Sequence, residues 1–182
     1  MLRQEHIAHC RMFATRLEMA RAFAEPGTIG AEVGVWDGDF STLLLQLVAP
    51  KELHLIDIEI REQLKMRFAD RLSGPVITVR EGDSSKVLST YPDGFFDWIY
   101  IDADPSYDGV KRDADVSIKK MNHDGVLFFN NYTIGDHNYP DGFFPYGVIE
   151  VVNNLCLYDG FEMIGFGFHP QMYCDVAIRR RA

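Results

Sequence analysis

Five apolar runs in this sequence each close on a polar cluster, and four of the five clusters carry carboxylates. The first closes on Glu32-Val33-Gly34-Val35-Trp36-Asp37-Gly38-Asp39 and the second on Asp57-Ile58-Glu59. The third closes on Glu81-Gly82-Asp83-Ser84, the fourth on Asp102-Ala103-Asp104 and the fifth on Asn130-Asn131-Tyr132. A carboxylate at the end of a strand can accept hydroxyl hydrogen bonds, hold a cation or take up a proton. Any one of these clusters, alone, is as well explained by a turn or a helix cap. Five of them on one edge of a sheet would form a crevice.

Gly34 and Gly38 stand four apart, so the first cluster lacks the GxGxxG spacing that cradles a dinucleotide. A pyrophosphate is anionic and seeks bare N–H groups at a helix start, whereas this turn is flanked by Glu32, Asp37 and Asp39. S-adenosylmethionine (SAM) has no phosphate and carries a sulfonium and an ammonium, so an acidic glycine turn suits it and disfavours a nicotinamide dinucleotide. Asp57, closing the second run, stands where an acidic side chain accepts both ribose hydroxyls in dinucleotide folds. Asp83, one strand further out, is placed to accept from an adenine amino group, with Ser84 offering its backbone N–H.

The elements that must position these residues alternate along the chain. Strands are predicted at 29–35, 53–58, 76–80, 98–101 and 126–129, and helices at 39–48, 61–71, 85–89, 107–121 and 148–158. Strands joined by single helices give right-handed crossovers and a mainly parallel sheet with helices on both faces. Two last strands, 161–166 and 173–178, are joined by a link too short for a parallel crossover, so one of them must run antiparallel. The expected fold is a Rossmann-like, doubly wound α/β sheet. Ahead of it, residues 4–24 place Ile7, Cys10, Phe13, Leu17, Ala20 and Ala24 at helical intervals, which predicts one amphipathic helix ended by Glu25-Pro26-Gly27. Residues 1–26 would then cap the site or join two copies of the chain as a homodimer, and residues 27–182 would form a single SAM-binding domain.

The bulk properties narrow the partners. A net charge of −9 disfavours a general nucleic-acid or anionic-membrane surface, and Arg179-Arg180-Arg181 reads as a solvated tail. Cys10, Cys156 and Cys174 make no metal or CxxC pattern, which fits reduced thiols. No apolar run is long enough for a transmembrane helix, and Arg3, Glu5 and His6 do not suit a signal peptide, so a cytoplasmic protein is expected.

The ordered set Glu32-Val-Gly-Val-Trp-Asp-Gly38-Asp-Phe-Ser41, His54-Leu-Ile-Asp57, Gly82-Asp83-Ser84 and Phe96-Asp97-Trp98-Ile-Tyr-Ile-Asp102 resembles the successive motifs of class I SAM-dependent methyltransferases. The stretch Asp102-Ala-Asp-Pro-Ser-Tyr107-Asp-Gly-Val110, running on to Gly125-Val-Leu-Phe-Phe-Asn130-Asn131-Tyr132, is similar to the subgroup near catechol O-methyltransferase and the small-molecule O-methyltransferases of bacterial secondary metabolism. The resemblance implies that Glu32 and Gly34, with Gly38 in the same turn, approach the methionine part of SAM, Asp57 the ribose, and Asp83 with Ser84 the adenine. It puts Asp102 beside both cofactor and acceptor. In metal-dependent relatives that aspartate is a divalent-cation ligand, completed by a pair that is here Asn130-Asn131. A histidine frequent in the strand-four loop is here Pro105. Weak or absent metal dependence is therefore expected.

Methyl transfer asks the protein chiefly to align acceptor and methyl, and to accept a proton from a hydroxyl acceptor. Asp102 and, second, His137 are the candidate catalytic groups. Tyr132, Tyr139, Phe143, Phe144 and Tyr146 would make an aromatic loop over a small-molecule acceptor, or a surface contact. A catalytically inactive SAM-binding module of the same fold is the alternative, and a nicotinamide oxidoreductase a third reading that the acidic turn opposes.

Overall fold

The computed structural model describes residues 1–72, 74–134 and 146–181. Five strands build the parallel body of one sheet: β2 (Ile29–Val33), β3 (Glu52–Asp57), β4 (Ile77–Glu81), β5 (Phe96–Ile101) and β6 (Met121–Phe129). The helices between them are α2 (Asp39–Leu47), α3 (Glu62–Phe68), α4 (Ser84–Ser89) and α5 (Tyr107–Lys120). After β6 come α6 (Val148–Tyr158), β7 (Phe161–Gly167) and β8 (Asp175–Arg180), while β1 (Arg11–Phe13) and α1 (Arg16–Phe23) precede β2. The eight strands lie in the order β1-β7-β8-β6-β5-β2-β3-β4. β8 pairs antiparallel with β6 (Leu127↔Ile178) and with β7 (Met163↔Ile178), as the short link between the last two strands requires.

Alternation along the strands feeds two apolar layers. In β5, Trp98 and Tyr100 join the layer that holds Phe40 and Leu44 of α2 and Leu64 and Phe68 of α3. Ile99 and Ile101 join the opposite layer, with Val110 and Ala114 of α5 and Val152 of α6. Such strands are covered on both sides and therefore read as continuous apolar runs. Gly30 in β2 has to be bare, since a Cβ there would fall 2.1 Å from the Trp98 ring.

The start of the chain departs from the expected single helix. A 3-10 turn spans Gln4–His6, β1 pairs parallel with β7 (Arg11↔Gly165, Met12↔Phe166, Phe13↔Gly167), and only Arg16–Phe23 is α-helical. Thr15 starts that helix by accepting the Glu18 N–H at 3.1 Å. The apolar spacing misleads because β7 supplies a better partner for Met12 and Phe13 than a helix turn would. Gly165 and Gly167 let the segment come close: a Cβ on Gly165 would meet the Phe23 ring at 2.6 Å, and one on Gly167 the Arg16 Cα at 2.9 Å. The arginine run is also not a solvated tail. Arg179 and Arg180 belong to β8, where Arg179 Nε donates to Glu162 at 3.1 Å and Arg180 donates to the Ile118 carbonyl at 2.9 Å. Among the described residues, no helix is long and apolar enough to cross a membrane.

Candidate functional site

The turn that leaves β2 sets the floor of the site. Gly34 has φ +86°, and a Cβ on it would lie 2.2 Å from the Asp102 carbonyl oxygen at the end of β5. Only glycine allows the two strand ends to approach this closely. Asp57, at the end of β3, clamps the turn from the other side: its Oδ2 accepts the Val35 N–H at 2.7 Å and the Trp36 N–H at 2.9 Å. Trp36, at φ 53°, projects outward with 65% of its surface exposed and lies under the Arg61 guanidinium. Gly38 sits off the cavity wall. It begins α2 in the left-handed region, and a Cβ there would meet Leu64 Cδ1 at 2.6 Å.

A cavity of about 620 Å³ opens over these strand ends and brings together Glu32, Gly34, Asp57, Asp83, Ser84 and Asp102. Its size suits a nucleoside-bearing small molecule. Asp83 also has the cap role that its sequence context allowed, accepting the Lys86 N–H at 3.1 Å and the Ser85 hydroxyl at 2.6 Å. Asp113, which local sequence did not single out, lies on the same wall; Ser84 Oγ donates to its Oδ1, while its buried Oδ2 has no hydrogen-bond partner among the described residues.

At the inner end of the cavity, burial dominates the electrostatics. Glu32 is buried and accepts from the Ser41 hydroxyl at 2.5 Å. Burial pushes its carboxyl up to about 8, with Asp102 nearby adding to the rise and the Ser41 bond and Arg16 opposing it. Asp102 is pushed up to about 6 by burial, against the pull of Asn130, which donates to it, and of Arg16. Asp175 of β8 is pushed up to about 7 by burial, and the Tyr100 hydroxyl donates to it. Arg16 of α1 faces this group, with Nη1 at 3.7 Å from Asp102 and 3.8 Å from Asp175 and its Cζ 3.9 Å from the Phe40 ring centre. Neither Arg16 nor Asp175 was expected at the site. An aspartate inside the apolar run 174–178 is a legible anomaly; Arg16 has no comparable local signal.

A second cavity, of about 490 Å³, lies on the far side of the β5 loop and is lined by Pro105, Phe129, Asn130, Asn131 and Tyr146, among others. The two cavities share Trp36 and Asp102-Ala103-Asp104 as their common wall. His137, Tyr139, Phe143 and Phe144 lie outside the described residues. Among the described residues, no group of three or more His, Cys, Asp or Glu is arranged to hold a metal ion.

The structure fits a SAM-shaped guest on its own terms. Carboxylates of Asp57, Asp83 and Asp102 line the first cavity, and a ligand with amine, hydroxyl and sulfonium groups supplies donors and positive charge that match them. Solved structures agree on the fold. The O-methyltransferase TomG from Streptomyces achromogenes, involved in tomaymycin synthesis and solved with SAM, superposes with a TM-score of 0.68 at 19% identity, over 91% of this chain and 78% of that one. A SAM-dependent methyltransferase from Aquifex aeolicus gives 0.62 at 15% identity, over 91% and 89%. The Bacillus subtilis tRNA methyltransferase TrmK gives 0.62 at 13% identity, over 93% and 67%. No curated protein matches the sequence. The profile of a methyltransferase domain matches residues 31–132, more than half the chain and the span that runs from β2 through the glycine turn, Asp57, Asp83 and Asp102 to the end of β6, so the chain belongs to that methyltransferase family.

Proposed function

We propose that this enzyme methylates a hydroxyl oxygen of a small molecule seated in the second cavity, with SAM in the first. SAM supplies a methyl group already activated on a sulfonium. The chain's task is then to align the acceptor and remove its proton. Glu32 and Gly34 would flank the methionine part. Asp57 would take the ribose hydroxyls through Oδ1, which in this structure accepts a long hydrogen bond from the Glu59 N–H at 3.4 Å. Asp83 and Ser84 would meet the adenine. Asp102 stands on the wall shared by both cavities, and a carboxyl at about 6 is ionised at neutral pH yet basic enough to take up a hydroxyl proton. His137 remains the second candidate base. No step of this reading uses a metal: the Asn130 amide donates to Asp102 Oδ1, and Asn130-Asn131 add no charge beside it.

The shared wall carries this reading, because it puts an acceptor-sized space directly across Asp102 from the cofactor cavity. The net charge of −9 supports a small acceptor over RNA. Residues 1–26 act as a cap on the methionine end through Arg16, and no subunit contact is needed for that role. The test is transfer of isotopically labelled methyl from SAM to a panel of small hydroxylated aromatics, with tRNA and rRNA in parallel. The expected result is label in a small molecule, held as a methyl ether that survives alkali. Label in RNA alone would overturn the acceptor class, and tight SAM binding with no transfer to any acceptor would favour an inactive binding module.

A further inference from the structure

We propose that Arg16 is a specificity-determining residue that recognises the α-carboxylate of the cofactor's methionine part. This rests on the SAM reading above. A cavity rich in acids suits a sulfonium and an ammonium, but SAM also carries a carboxylate, which Asp57, Asp102 and Asp104 would repel. Two cationic side chains line that cavity among the described residues, Arg16 and Arg112. Arg112 is exposed and exerts its charge on Asp83 and Asp113, at the end assigned to adenine. Arg16 is half-buried and exerts its charge on Glu32, Asp102 and Asp175, at the end assigned to methionine.

The guanidinium is held there but not satisfied there. Its closest carboxylate oxygens, on Asp102 and Asp175, are 3.7 and 3.8 Å away, beyond hydrogen-bond range, and among the described residues none accepts a hydrogen bond from it. Its fork of N–H donors matches the two oxygens of a carboxylate. Packing on the Phe40 ring at 3.9 Å and the start of α1 fix its direction. Of the three acids it faces, Glu32 is held up at about 8 and Asp175 at about 7, so part of their negative charge is absent at neutral pH and Arg16 keeps charge to offer a ligand.

The experiment compares SAM with decarboxylated SAM, which keeps the adenosine, sulfonium and amine and lacks only the carboxylate. Calorimetry on the unaltered protein is expected to show SAM binding roughly ten- to hundredfold tighter, the worth of a charge-assisted hydrogen-bonded pair. Arg16→Gln is expected to abolish that preference by weakening SAM while leaving decarboxylated SAM unchanged or tighter, and Arg16→Lys to keep part of it. Equal affinity for the two ligands in the unaltered protein overturns the assignment without any variant. Equal weakening of both ligands in Arg16→Gln also overturns it, since a residue that only braces the fold would act that way. If neither ligand binds the unaltered protein, the cofactor reading itself fails.

Discussion

Replacing Asp57 with alanine tests whether one carboxylate both shapes the glycine turn and serves the ligand. In the ligand-free protein, Asp57 Oδ2 accepts two backbone N–H groups, from Val35 at 2.7 Å and Trp36 at 2.9 Å. Trp36 is 65% exposed, so water can replace the lost acceptor there. Val35 is 4% exposed, so its N–H is left largely without a substitute. One charge-assisted hydrogen bond lost from a buried donor costs about 1.5–3 kcal/mol. For a domain of this length that lowers the melting temperature by about 3–12 °C. Asp57→Asn keeps an acceptor oxygen and loses the charge, so it should fall between the two. The assay is thermal unfolding of the three proteins without ligand, followed by calorimetric titration with S-adenosylhomocysteine. Affinity should fall in the same order as stability, because the displaced turn and the missing ribose acceptor act together. An unchanged melting temperature for Asp57→Ala would refute the clamp, and an unchanged affinity would remove Asp57 from the ligand site.

Asp102→Asn is expected to lower turnover by about 10²–10⁴-fold, the usual worth of a general base, while leaving SAM affinity nearly intact; full activity on the identified acceptor would exclude the role. Ligand-free stability should fall as pH rises from about 5 to about 8. Glu32, Asp102 and Asp175 have folded values of about 8, 6 and 7, above their ordinary values, so the folded state binds more protons than the unfolded one across this window. Their contribution is complete below the unfolded values and is lost as pH climbs through each folded value. Melting curves that stay flat or rise would contradict this, and Glu32→Gln should remove the upper part of the slope. Activity is expected to survive EDTA, and Asn130→Asp to tighten Mg²⁺ binding by adding a second charge beside Asp102; loss of activity in EDTA restored by Mg²⁺ would show that the native pair works as a metal site.

The order of strands and helices was legible because strands covered on both faces leave apolar runs such as 126–129, and because each run stops on a polar cluster where the sheet edge meets solvent. The same feature located Glu32, Gly34, Asp57, Asp83, Ser84 and Asp102, which share one cavity wall. What local pattern could not supply were relations between distant segments. Three residues of β1 pair with a strand some 150 positions away, and nothing nearby in sequence distinguishes them from a helical turn. The acids facing Arg16 come from β2, β5 and β8, so its place depends on the assembled sheet. Asp57 and Asp83 showed the opposite limit. Their residue types suited either a ligand or a turn and cap, and the structure gives both of them backbone partners on a wall that also faces the cavity.

The pairing of β1 with β7 also imposes an order on maturation. The strands from β2 to β6 have neighbours within residues 29–129, so the glycine turn, Asp57, Asp83 and Asp102 can assemble as soon as that span is available. The β1 strand has no such neighbour until residues 161–167 are in place, and Arg16 follows β1 directly. During synthesis on the ribosome, the opening residues must therefore wait, unpaired, while most of the chain is made. A nascent chain would acquire the cavity walls built from β2 to β6 first and the Arg16 side last, so the complete cavity would form only when the two ends of the sheet have been joined.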